Sequence, residues 1–257
     1  MSTQLSTVLY HSYKDAILNT KDGGYLNKKL TNSVAYKQFL HNQLLASQPI
    51  FEFNAIRTLV GIGQISNKSK LNVIDVGGGA GYHFHIASIA FPSIKFEWHV
   101  VETKSMCDSA SQHAKSGLYF HESLSSVANS LSDIDLVFSS SALQYFEDPI
   151  KTLSDILDLK SRNIFITRTP LSLYSQILIA VQRSKLSDNG PGQLPHGFVD
   201  EIIEYPITYI PKKVFEETLL SSYQIKFQIE EEGASLFFEN MPINGMFGYY
   251  CSLKGAI

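Results

Sequence analysis

From Leu71 onward, short runs that are apolar on both sides alternate with longer segments of helical period. LNVIDV, KFEWHVVE, GLYF and IDLVFSS are the short runs. A strand covered on both faces has no polar side, so these read as buried parallel strands. Between them GYHFHIASIAF, stopped by Pro92, then KSMCDSASQHAK and a more polar stretch read as helices. Strands alternating with helices imply βαβ units with right-handed crossovers. A fifth strand, RNIFIT, starts at Arg162, and the pattern then predicts a helix from Leu173 to Arg183. SKLSDNGPGQLPHGFVDE follows as a long Gly/Pro-rich loop of the kind that forms lids or binding segments. A helix is predicted at Pro211, and YQIKFQIEEE and GMFGYYCSLKG read as two strands pairing antiparallel at a sheet edge. Residues 1–68 differ: AYKQFLHNQLL and FEFNAIRTLV carry helix periods separated by TKDGGY and SQP, which predicts a helical cap ahead of a domain over 69–257.

With 257 residues, 44% of them hydrophobic and 18% charged, the chain can bury one sizeable core. A net charge of -3 supplies no general field for phosphate backbones or anionic membranes, so neither nucleic acid nor membrane is an expected partner. Cys107 and Cys251 are too few for a disulfide scaffold and lack metal-site spacing, so both are expected as reduced thiols and no metal is expected. MSTQLSTVLYHSYKDA lacks the basic and apolar regions of a signal peptide, and LSLYSQILIAVQ is too short and too interrupted to span a bilayer. A cytoplasmic protein is the expectation.

The chemistry concentrates in VIDVGGGAGYHFH, Val73 to His85. A strand ending in an acid, then glycines, then a helix is a turn where the backbone lies against a nucleotide-like ligand. The dinucleotide order G-x-G-x-x-G fails here, because Tyr82 stands at the third glycine position, and no phosphate-loop sequence is present. Asp75, Gly77, Gly78, Gly79 and Gly81 are the candidate loop residues. Glu102 ends the second strand, where a carboxylate can accept both hydroxyls of a ribose. His83 and His85, in the first turns of the helix, are expected as surface imidazoles.

The order D-x-G-x-G-x-G is similar to the first motif of class I methyltransferases that use S-adenosylmethionine. Further stretches, SYKDAI, GGY, WHVVET, LYFHESL, DLVFSSSALQYFEDP, TRTPL and EYP, resemble one bacterial family of such enzymes, often encoded among surface-polysaccharide or other biosynthetic genes. The resemblance implies a Rossmann-like α/β fold with a seven-stranded mixed sheet, an antiparallel C-terminal hairpin and the helical N-terminal cap. It implies S-adenosyl-L-methionine as cofactor, Glu122 near the adenine, and Ser139 and Ser140 beneath the position of methyl transfer. Thr167 departs from the family, which tends to have Asp before RTP, and SKLSDNGPG looks inserted.

The acceptor is expected to be a small molecule, such as a sugar or a biosynthetic intermediate, methylated on oxygen or nitrogen. His196 in the glycine- and proline-rich loop is the candidate general base, having a reference pKa suited to proton transfer. Tyr145 and Gln144 are candidates for orienting the acceptor, and Arg168 for holding an acidic group on it. The rival readings are a non-catalytic relative acting as an interaction partner and a nicotinamide-dependent oxidoreductase.

Overall fold

The structure is a computed structural model and describes residues 4–5, 8–21, 24, 27–128, 130–233, 236–238 and 241–255. Gly23 and Tyr25 of the GGY stretch lie outside the described residues. The chain begins with β1 (Gln4–Leu5), α1 (Tyr13–Leu18), α2 (Lys28–Ser47) and α3 (Ile56–Gly63). It continues through β2 (Lys70–Val76), α4 (Tyr82–Ala90), β3 (Lys95–Val101), α5 (Lys104–Ala110), β4 (Leu118–His121), α6 (Leu124–Ala128) and β5 (Leu136–Ser140). The remainder is α7 (Pro149–Asp158), β6 (Asn163–Ser172), β7 (Leu178–Lys185), β8 (Ile202–Pro211), α8 (Lys212–Ser222), β9 (Tyr223–Glu231), β10 (Phe237–Phe238), β11 (Met241–Pro242) and β12 (Asn244–Leu253). These elements form two compact units, one made of Leu26–Phe138 and Leu186–Asp200, the other of Met1–Tyr25, Ser139–Lys185 and Glu201–Ile257.

In the first of these units, β5, β2, β3 and β4 lie side by side and parallel, with Val73 opposite both Leu136 and Trp98, and Trp98 opposite Leu118. Leu71, Val73, Ile74, Phe96, Trp98 and Val100 are all buried, as two-sided cover requires. Asn27 caps α2 by accepting from the N–H groups of Lys29 and Leu30, and Thr103 caps α5 by accepting from Met106 N. Tyr82 and Ile86 of α4 pack with Leu45 and Ala55, which fixes the glycine turn beneath α2.

In the other unit, β12 lies antiparallel between β6 and β9, the hairpin predicted from the last two runs. Its register shifts between Phe247 and Tyr249, at Gly248, where a Cβ would sit 2.8 Å from Thr167 Oγ1. Thr167 is fully buried and donates to Glu231 Oε1 at 2.9 Å, so the residue before RTP faces the sheet interior. Pro149 opens α7 behind the capping carboxylate of Asp148. With β5, β2, β3 and β4 in one unit and β6, β12 and β9 in the other, the seven strands of the Rossmann-like fold are present.

The predicted helix from Leu173 to Arg183 is a strand instead. β7 pairs antiparallel with β8 from Leu178–Tyr209 to Lys185–Ile202, and on its other side with β1. The local sequence ILIAVQ has the β-branched content of a strand, and eight cross-strand partners decide between two nearly balanced local preferences. β8 itself is concealed by Pro206, which a central strand disfavours. Among the described residues, no helix is long and apolar enough to cross a membrane, and no group of His, Cys, Asp or Glu could hold a metal.

Candidate functional site

Three of the loop glycines are small for separate reasons. A Cβ on Gly78 would lie 2.4 Å from Asp75 Oδ2, so that glycine lets the Asp75 carboxylate pass beneath the turn. A Cβ on Gly81 would lie 2.7 Å from Leu118 Cδ2. Gly79 has φ +60 and its Cβ would meet the Gln38 carboxamide at 2.7 Å. Its backbone therefore needs both the left-handed conformation and the empty space.

Asp75 is fully buried, and its Oδ2 accepts from Trp98 Nε1 at 3.1 Å and lies 2.9 Å from His83 Nδ1. These partners make Asp75 the scaffold of the loop from within. His83 and His85 are not surface imidazoles. His83 is 16% exposed, bonded to Asp75 and edge-on to Phe138, whereas His85 is buried and its pKa falls to about 4 through desolvation, with Lys115 adding to the effect. An apolar-faced helix covered by α2 and α3 leaves no room for a solvated imidazole there.

Glu102 stands just beyond β3 and is partly exposed. Its Oε1 accepts from Gly79 N at 3.1 Å and its Oε2 from Thr103 N at 3.0 Å. Burial raises the Glu102 pKa, the two N–H donors oppose that, and Asp75 adds to the rise. Each oxygen retains a second lone pair, which is the acceptor capacity a vicinal diol requires. A groove of about 320 Å³ beside it is lined by Lys28, Thr103, Lys104, Ser105 and Asp108. Glu122 is exposed and reaches this rim through Lys104, at 3.4 Å.

Sequence reasoning missed the contribution of α2. Val34, Lys37, Gln38, Asn42 and Leu45 are buried, and they recur at the helix-core spacing, with polar residues where apolar ones are usual. Gln38 Oε1 accepts from Ala80 N at 2.6 Å, placing its carboxamide on the glycine turn. Lys37 Nζ donates to Ser187 O at 2.5 Å, and desolvation lowers its pKa to about 8. The same helix thus holds the segment Leu186–Asp200, whose Gly190 and Gly192 have no space for a Cβ against Gln38 and His41. Asp200 closes that segment by accepting from Ser187 N and Oγ, both at 2.9 Å. His196 is exposed in a turn where Phe198 N donates to Pro195 O, and among the described residues it has no hydrogen-bond or ring partner.

The other unit gathers Ser141, Gln144, Tyr145 and Arg168. Ser141 and Arg168 both have positive φ, 57 and 54, and Ser141 N donates to Thr167 O at 3.0 Å. Two non-glycine residues held in this conformation mark a constrained corner of the kind found at functional sites. Tyr145 stands edge-on to Tyr205 and donates to Gln182 Oε1 at 3.3 Å. Burial raises its pKa, while Gln144 and Arg168 pull it back. Gln144 is buried with Oε1 unpartnered among the described residues. Ser139 and Ser140 end β5, Ser139 buried and Ser140 partly so. Tyr145 and Arg168 therefore come together, while His196 belongs to the other unit. Both cysteines are free and buried, their thiols raised by desolvation to about 11 at Cys107 and about 12 at Cys251.

No family profile matches the chain, and no curated protein matches it in sequence. Solved structures do match. An S-adenosylmethionine-dependent methyltransferase from Clostridium acetobutylicum is 12% identical, with 86% of this chain and 99% of that one covered at a TM-score of 0.49. The [4+2]-cyclase SpnF is 11% identical over 77% of this chain and 80% of that one, at a TM-score of 0.50. Human N-acetylserotonin methyltransferase, solved with S-adenosylmethionine, is 16% identical over 86% of this chain and 57% of that one, at 0.45. At these identities the likeness concerns the fold alone, and the match to SpnF agrees with a Rossmann-like α/β fold.

Proposed function

We propose that this chain is an S-adenosylmethionine-dependent methyltransferase acting on the oxygen or nitrogen of a small-molecule acceptor, a sugar or a biosynthetic intermediate. The observation that carries the reading is Glu102: a partly exposed carboxylate at a strand end, fixed by Gly79 N and Thr103 N, with capacity left for a ribose diol. Tyr82, in the third glycine position and packed under α2, argues against a nicotinamide dinucleotide. In this assignment Glu102 holds the ribose, the backbone of Gly77 and Gly79 lies along the ligand, and Asp75 and Gly78 shape the turn from below. Glu122 lies toward the adenine, and Ser139 and Ser140, the last residues of β5, lie below the transferred group.

When bound, the cofactor supplies a methyl group on a sulfonium. The protein's share is alignment and exclusion of water, and positioning can contribute up to about 7–11 kcal/mol of barrier lowering. Tyr145 and Arg168 orient the acceptor, and Arg168 offers a planar fork to a carboxylate or phosphate on it. A hydroxyl acceptor must also lose a proton, for which a positioned base such as His196 is worth roughly 10²–10⁴-fold.

Fold does not fix chemistry: one structure of this fold is a [4+2]-cyclase. Binding and transfer therefore need separate tests. Titration calorimetry with S-adenosylhomocysteine should show micromolar binding, about 8 kcal/mol, and NAD(H) should show none. The reverse pattern would sink the donor assignment. Incubating the protein with candidate metabolites and isotopically labelled donor should yield a labelled product by mass spectrometry. Binding with no transfer across such a panel would favour a non-catalytic relative.

A further inference from the structure

Between Leu44 and Ile56, where α2 turns into α3, four large apolar side chains face solvent. Leu44 is 63% exposed, Ile50 77%, Phe53 80% and Ile56 45%, and Phe53 and Ile50 are the two most exposed large apolar residues among those described. A single exposed leucine carries no information, but four on one short turn of chain form a patch. Their outward direction is fixed by the residues between them. Phe51 and Leu59 pack inward on the cluster of Leu45, Ala55, Tyr82 and Ile86. Pro49 restricts the chain before Ile50, Ile50 N donates to Gln48 O at 2.7 Å, and Ala55 N donates to Glu52 O at 2.9 Å.

The size and charge of this surface select its partner. At roughly 150–250 Å² for a large side chain, the exposed fractions of the four come to about 500 Å². That is the upper part of the range a monomer shows in one patch, about 300–600 Å². A specific interface takes about 800 Å² from each partner, with an apolar centre and a polar rim. The patch supplies the centre, and Gln43, Gln48, Glu52 and Asn54, all exposed, supply polar groups around it. Its formal charges are one carboxylate, Glu52, and one guanidinium, Arg57, whose Nη1 donates to Asn54 Oδ1 at 3.1 Å. A balanced rim offers no attraction to anionic headgroups or phosphate backbones. Two copies related by a two-fold axis present the same patch to each other in reversed sense, so acid can meet base while the apolar centres coincide.

We propose that the turn between α2 and α3 is the face by which two copies of this chain pair about a two-fold axis, with Phe53 as the central anchor of each. A turn already held by inward packing and backbone hydrogen bonds loses little freedom on pairing, and aromatic side chains are enriched at the centres of such interfaces. Because Phe51 and Ala55 of the same turn pack with Tyr82, at the start of α4, pairing also braces the glycine turn from behind. The inference does not depend on the donor assignment.

Sedimentation velocity on the full chain, from about 1 to 100 µM, should show a species of twice the 28.7 kDa chain mass, with a dissociation constant in the micromolar range or below. Ile50→Asp and Phe53→Asp, made separately, should each weaken pairing by about tenfold or more, because each sets two carboxylates into an apolar centre. At 77% and 80% exposure neither side chain supports the fold, so a parental far-UV circular dichroism spectrum is expected and separates loss of pairing from loss of structure. Val199→Asp, 75% exposed in the same unit and outside the turn, should leave pairing unchanged. A parent that stays monomeric at about 100 µM overturns the proposal, and its flotation with phosphatidylcholine vesicles would then assign the turn to a lipid surface. Pairing that survives both Ile50→Asp and Phe53→Asp unchanged overturns it as well, since another face must then hold the two copies together.

Discussion

Gly79→Ala and Gly63→Ala add the same methyl group in one compact unit and should shift stability in opposite directions. At Gly79, φ is +60, a region that costs an L-residue roughly 1–2 kcal/mol. The new Cβ would also lie 2.7 Å from Gln38 Nε2 and 2.8 Å from Oε1. Gln38 can move only by releasing Ala80 N, a further loss of about 0.5–1.5 kcal/mol. The sum is a destabilisation of about 1.5–3.5 kcal/mol. Gly63 ends α3 with nothing within 4 Å of its Cβ, so alanine there should stabilise by about 0.5–1 kcal/mol through helix propensity and a less flexible unfolded chain. Urea denaturation followed by tryptophan fluorescence suits both variants. Trp98 is the single tryptophan, fully buried beneath the loop with Nε1 on Asp75, so its emission reports this unit. A Gly79→Ala midpoint equal to the parent's would refute the constraint placed on the turn by Gln38.

Glu102→Ala should weaken S-adenosylhomocysteine by roughly 1.5–3 kcal/mol in calorimetry, since it removes a charge-assisted bidentate contact; a folded variant with parental affinity would remove Glu102 from the ribose. Because burial raises the Glu102 pKa and a diol favours its ionised form, parental affinity should be highest above that pKa and decline as pH falls through it; affinity flat into the acid range would contradict this. His85 and His99 both have folded pKa values lowered to about 4, chiefly by burial. Between their unfolded pKa near 6.5 and about 4 the unfolded chain binds more protons, so their stabilisation is complete above about pH 6.5 and is lost towards pH 4, on the order of 2–3 kcal/mol each. Melting curves across that window should flatten in His85→Gln and in His99→Gln. His196→Ala, at an exposed position, should leave stability and donor affinity unchanged and lower single-turnover methyl transfer by about 10²-fold; a loss under about tenfold makes it a surface imidazole.

The parts of the fold written in apolar residues are legible in the amino-acid sequence itself. β2, β3 and β5 are short runs buried on both faces, and the hairpin of β9 and β12 follows from two late runs close in sequence. Glu102 is legible because its position at the end of β3 follows from the strand's length. β7 and β8 are not, because ILIAVQ fits either period and Pro206 argues locally against the strand that pairing with β7 imposes. His83 and His85 are misplaced by sequence pattern for a related reason: composition suggests imidazoles at a surface, and only the packing of α4 under α2 removes the water.

The α2 contribution shows where periodicity stops being informative. Lys37, Gln38, His41 and Asn42 occupy the spacing of a buried stripe, framed by Val34 and Leu45, yet their side chains are those of an exposed face. A pattern that equates burial with apolar character turns this helix inside out. Burying such groups is costly unless each finds a partner, so a polar stripe at core spacing implies that something polar lies opposite. For Gln38 and Lys37 part of it is backbone, the N–H of Ala80 and the carbonyl of Ser187.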